Sequence, residues 1–188
     1  MLLDPIAPDG KSLKRAGDAL VIHTHRLSDR QKGEHTGTDV RTRSIDTPGE
    51  YDLGGVYARV MTATRSPQSS IVTLVMDGIV LVHCGGLSLV PPDALIEGFE
   101  RVDILTVSVG GGDGLSPKDA GALARALEPR VVIPLRYKTP HHGGEYGALA
   151  AFLKEMGSSS TDPEKRLKLS KEDIREGDVR VMVLDDAP

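Results

Sequence analysis

Residues 71–76 and 79–83 are two β-rich apolar runs separated only by Asp77-Gly78. Two residues of that kind between such runs specify a tight antiparallel hairpin. Further along, residues 104–109 form a near-continuous apolar run, as expected of a strand covered on both faces. Ser116 can then cap a helix with Pro117 at its first position and Asp119 near its positive end. Ala120, Leu123, Ala124 and Leu127 fall on one face of that helix. Glu128-Pro129 ends it, and residues 131–135 give the next strand. A hairpin feeding strand–helix–strand units predicts a mixed α/β sandwich.

The remaining segments fill in around this frame. Residues 2–3 are a scrap of strand, residues 20–22 (Leu-Val-Ile) a buried strand and residues 42–45 a brief one. Residues 46–51 read as a turn, because Pro48 followed by Gly49 suits type II, and residues 56–62 alternate as a strand. Residues 66–70 are expected to be a connection, 91–98 a short helix and 110–114 a flexible loop. A second helix is expected over 145–156, with Leu149, Leu153 and Met156 in register and Gly157 at its stop. A loop follows over 158–164, and 179–184 is the last strand. The 188 residues are most simply a single domain, 1–188.

Composition excludes several function classes. The net charge of −4 gives no whole-molecule attraction to nucleic acid, and two Phe, four Tyr and no Trp leave little material for base stacking. No apolar stretch approaches the ~20 residues of a membrane span. The single cysteine, Cys84, rules out an intramolecular disulfide framework. A cytoplasmic protein that binds neither nucleic acid nor membrane is the expectation.

Chemistry-bearing side chains gather just past the strand at 20–22, in Thr24-His25-Arg26-Leu27-Ser28-Asp29-Arg30. This segment resembles the metal-binding signature of the metallo-β-lactamase superfamily, a Ser/Thr followed by His-x-His-x-Asp-His. His25 and Asp29 stand at its first His and its Asp, while Leu27 and Arg30 stand where it has two more His. Other segments resemble short bacterial proteins of that fold, usually labelled zinc-dependent hydrolases and related to a lactonase acting on phosphorylated ascorbate. Pro48-Gly49-Glu50-Tyr51 with Gly54-Gly55-Val56 is similar to their PGEYE-x-x-GV. His83-Cys84-Gly85-Gly86-Leu87 is similar to their H-x-G-D-L, residues 107–112 to V-x-VGGG, and residues 128–139 to EP-x-IVIP-x-HYKT.

The resemblance implies an α/β fold, the metallo-β-lactamase-like αββα sandwich. It also implies an N-terminal shortening, since relatives carry further strand and turn before their Asp-Pro and this chain reaches Asp4-Pro5 almost at once. In the family, His and Asp from separate loops hold one or two zinc ions, which lower the pKa of bound water. Carried over by position, Gly86 replaces the bridging Asp, Arg136 replaces the last ligand His, and no His lies near 65–68 where relatives have one. Two surviving donors are fewer than the three of catalytic zinc.

Three readings follow. A rearranged site for zinc or another divalent metal would use His25, Asp29, His23 and His83, with Cys84, His141 and His142 as further candidates. Against it, His23 also suits a core histidine, His141-His142 a solvated loop, and Cys84 a small buried apolar residue. Alternatively, Arg30, Arg136 and Arg65 enter the old cleft beside Gly86 and Gly111 and accept a small anion. The same arginines suit a purely structural salt bridge to Asp29 better than an anion pocket, because ion-pair networks also occupy relict sites without binding anything. The reading carried forward is a non-catalytic binding or assembly module with a small-anion pocket and no cofactor. Its expected partner is a small anion or a protein, including a second copy. The alternative is a metal-dependent hydrolase of lactonase or phosphoesterase type.

Overall fold

The computed structural model describes residues 2–3, 20–22, 24, 43–45, 47–65, 68–140, 145–158, 162–174 and 177–185. Strands β1 (Leu2–Leu3), β2 (Leu20–Ile22) and β3 (Arg43–Ile45) form a parallel sheet in that order. The larger sheet holds β4 (Gly49–Asp52), β5 (Tyr57–Arg65), β6 (Gln68–Met76) and β7 (Ile79–Cys84) in its antiparallel half. Its parallel half adds β8 (Ile104–Ser108), β9 (Val131–Leu135) and β10 (Arg180–Val181), giving the order β10-β9-β8-β7-β6-β5-β4. The described helices are α1 (Asp93–Ile96), α2 (Pro117–Leu127) and α3 (Leu149–Glu155).

Alternation along the strands sorts the side chains into two layers. On one face of the large sheet, Ile71, Val82, Cys84, Leu105, Val107 and Val132 pack against Leu123, Leu127 and Phe152 of the helices. On the other face, Ala58, Val60, Val72 and Leu74 meet Ile45 of β3, which joins the two sheets, and Ile104, Val131 and Ile133 are covered by Ile174. Each fully buried Leu or Val here contributes about 1.5–3 kcal/mol of transfer free energy. Sheet against sheet with helices outside is the α/β sandwich that the patterning implied.

Local chemistry explains the elements. Asp77 (φ 51°) and Gly78 (φ 75°) both take left-handed backbone, as a type I′ hairpin turn demands. Ser116 accepts the Asp119 N–H at 3.1 Å and Pro117 opens α2. At the start of β8, the buried Asp103 accepts the Val80 N–H at 2.7 Å and an Arg101 guanidinium N–H at 2.8 Å, fixing β7 against β8.

Four expectations about segments are corrected. Gly49, Glu50 and Tyr51 are strand, not turn, because they pair with Val60, Arg59 and Ala58 of β5. Gln68, Ser69 and Ser70 belong to β6, lengthening the hairpin past a register shift between Thr62 and Thr64. Residues 145–148 stay out of the helix because the Gly147 N–H donates to Gly110 O at 2.7 Å and Gly147 O accepts from Lys138 N. The last strand shortens to Arg180–Val181: Met182 N–H still donates to Val132 O at 2.9 Å, but the next residue changes partner, Val183 O accepting from the Glu164 N–H at 2.9 Å. Among the described residues, no helix is long and apolar enough to cross a membrane.

Candidate functional site

Because β7, β8 and β9 run parallel as neighbours, the loops that follow them open at one end of the sheet. Carboxyl ends of adjacent parallel strands are where α/β sheets gather functional groups. Gly86 lies two residues past β7, Gly111 three past β8 and Arg136 one past β9. Thr24, two residues beyond β2, reaches the same end. Its carbonyl accepts the Ser70 N–H at 2.6 Å, and its side chain is buried against Gly86. Gly86, Gly111 and Arg136 therefore share one end of the sandwich. Arg65 ends β5, paired with Gln68 at the start of β6. His23, His25, Asp29, Arg30, His141 and His142 lie outside the described residues.

His83 is buried on β7, and its Nδ1 lies 2.6 Å from Thr106 Oγ1 on β8, the residue directly across the ladder. Its ring lies over Gly85, where any Cβ would run into the imidazole. Cys84, the next residue, points to the opposite face and sits among Leu105 and Val107 in the helix-covered layer. Burial pushes its thiol up to about 12. His83 and Cys84 thus cannot join one metal site, which corrects that part of the rearranged set. The reading of Cys84 as a small buried apolar residue fits its place.

Loop 110–114 is held rather than loose. Gly111 N donates to Leu115 O at 2.9 Å and Gly114 N to Gly111 O at 3.0 Å, while Ser108 Oγ bonds both Leu87 O and Leu115 N. Gly110 passes so close to Arg136 O that no side chain fits there, which locks this loop to the end of β9.

Arg136 takes a left-handed φ of 52°, and its side chain is only 16 % exposed. Its Nη1 faces Asp113 Oδ2 at 3.4 Å, and the other Asp113 oxygen accepts the Tyr146 hydroxyl at 2.9 Å. Burial and this bond to Asp113 raise the Tyr146 pKa, against a lowering by Arg136. The described partner of Arg136 is therefore Asp113; the salt bridge expected with Asp29 involves a residue outside the described ones. Sequence reasoning missed Asp113 because it sat among glycines. It missed Tyr146 because that residue fell inside an expected helix.

Among the described residues, the side chains at these strand ends do not supply a metal's donor set. Gly86 has no side-chain donor, and the space a Cβ would need is taken by Thr24. Arg136 is a permanent cation at the end of β9. Among the described residues, no three His, Cys, Asp or Glu side chains gather as a metal site.

The family model of the beta-lactamase superfamily domain matches residues 1–136. A UPF0173 metal-dependent hydrolase of Lysinibacillus sphaericus is 25 % identical over 142 residues, covering 70 % of this chain and 62 % of its own. One from Pelotomaculum thermopropionicum is 26 % identical over 145 residues, covering 70 % and 61 %. The chain thus spans about three fifths of the length of these curated relatives. Among solved structures, a candidate Zn-dependent hydrolase of the metallo-β-lactamase superfamily from Thermotoga maritima superposes with a TM-score of 0.77. It is 26 % identical, over 97 % of this chain and 88 % of that one. The metallo-β-lactamase fold protein YhfI of Bacillus subtilis, 13 % identical with a TM-score of 0.53 over 72 % and 57 %, shares the fold.

Proposed function

Because the chain belongs to the beta-lactamase superfamily, we propose that its function follows from its departure from that family's metal chemistry: it is a binding member, not a hydrolase. The observation that carries this reading is Arg136, a largely buried guanidinium held 3.4 Å from Asp113 at the end of β9. A fixed positive charge there disfavours a divalent cation, and Gly86 offers nothing to offset it. Without a metal-activated water, the described groups include no evident means of generating hydroxide. The partner in this reading is a small anion or another protein chain.

A second reading rests on the relatives, which are named metal-dependent hydrolases. In it, His25, Asp29, His23 and His83 hold a divalent metal in a rearranged site and the chain hydrolyses a lactone or phosphoester. The test is turnover of a lactone and of an aryl phosphodiester by purified protein supplied with zinc, manganese or iron(II). The first reading expects no metal-dependent rate above buffer. Turnover that needs metal and disappears in Asp29→Ala would establish the second.

A further inference from the structure

We propose that Arg136 and Tyr146 form the cradle of a binding site for a small oxyanion, a phosphate or carboxylate group, and that Asp113 is the built-in occupant such a ligand displaces. The inference rests on the reading that no divalent ion holds this cleft, and it names the ligand class that reading leaves open.

Arg136 offers five N–H donors in a rigid fork. The side chain is 16 % exposed, and buried donors of this kind are ordinarily satisfied. Among the described residues, its only hydrogen bond or ion pair is that from Nη1 to Asp113, at 3.4 Å. Charge-assisted bonds are normally about 2.7–2.9 Å, and Arg–carboxylate pairs are often two-pronged. Among the described residues, the guanidinium is therefore engaged by one long contact that uses only part of its donor capacity.

Asp113 is a weak holder of that place. Its side chain is 69 % exposed, so swinging out to water costs it little solvation. It follows Gly111 and Gly112, both at left-handed φ (72° and 66°), and a Cβ on Gly111 would meet nothing within 4 Å. Yet its carboxylate already shows what the cradle accepts, with one oxygen toward Arg136 and the other taking the Tyr146 hydroxyl at 2.9 Å. A free carboxylate or phosphate presents the same pair of oxygens without the tether. Once Asp113 turns away, the guanidinium and the phenol are two donors converging on one position.

The test is isothermal titration of the full chain with inorganic phosphate and, in a separate arm, with malonate, at fixed ionic strength. Asp113→Asn removes the competing charge and keeps the shape, so it should tighten binding of the preferred anion by about tenfold, the worth of one charge-assisted bond. Arg136→Gln should lose that binding, and Tyr146→Phe should weaken it about three- to tenfold, as for one neutral hydrogen bond. If Arg136→Gln fails to fold by circular dichroism, Arg136→Lys serves in its place and should also weaken binding, because it lacks the fork. Binding in the phosphate arm alone identifies a phosphate group, and in the malonate arm alone a carboxylate. Equal affinity in wild type and Asp113→Asn, binding indifferent to Arg136, or no heat from either probe in Asp113→Asn overturns the proposal. Metal analysis of the same sample separates the two failures. Stoichiometric metal defeats the functional reading, while metal-free protein that ignores both anions defeats only this site.

Discussion

Thr24 and Gly86 are in direct contact: the threonine hydroxyl lies where a Cβ on residue 86 would have to be. The threonine is fully buried, and its carbonyl is tied to Ser70 N at 2.6 Å, so it is not a side chain that can simply swing away. The contact joins the end of β2 to the loop after β7, and hence the small sheet to the large one. It also explains why a side chain at residue 86 is excluded by packing.

Gly86→Ala should therefore destabilise the protein by about 1–3 kcal/mol, the usual cost of overpacking. In a Thr24→Ala background the same change should cost at least about 1 kcal/mol less, because residues in contact are not additive. Urea unfolding of the four proteins in this cycle reads the coupling directly. Equal costs in the two backgrounds would place Thr24 elsewhere.

Thr106→Val keeps the shape of the threonine and removes the hydroxyl 2.6 Å from His83 Nδ1. Both residues are buried, so the loss should be about 1–3 kcal/mol, the cost of stranding a buried polar atom. Urea unfolding checks it, and Thr106→Ser should recover most of the difference. A Thr106→Val protein as stable as wild type would show that the bond contributes nothing net.

Cys84 supplies a pH dependence. Burial raises its thiol from 9.0 to about 12, so the folded chain keeps a proton that the unfolded chain releases. The contribution is fully present below the unfolded value and declines as pH rises from 9.0 toward about 12. Wild type should therefore lose more stability than Cys84→Ala between neutral pH and the alkaline end of that window, measured by urea unfolding. The native thiol should also resist thiol-specific reagents until the protein unfolds. Rapid labelling of folded protein would contradict its burial.

The parts of the fold legible in the sequence were those where local pattern and tertiary context agree. The Asp77-Gly78 turn, the Ser116-Pro117 cap and the apolar runs that became β8 and β9 carry their own instructions. Segments decided by a distant partner were not legible. Gly49 pairs with Val60, Gln68 with Arg65, and Gly147 is held by Gly110, and no local propensity announces those bonds. At the candidate site, the motif positions Gly86, Gly111 and Arg136 were readable because a family pattern marks them. Asp113 and Tyr146 were not, since their meaning comes from meeting Arg136 across loops far apart in the chain. The remaining candidates, His23, His25, Asp29 and Arg30, lie outside the described residues.

Whether this end of the sandwich has exchanged metal chemistry for a guanidinium is decided most directly by elemental analysis of the full chain, purified without chelator and without added metal. The account predicts zinc, iron and manganese far below one ion per chain, before and after dialysis against zinc. Retention of about one ion or more per chain, the mark of a site with enough protein ligands to hold it, would contradict it.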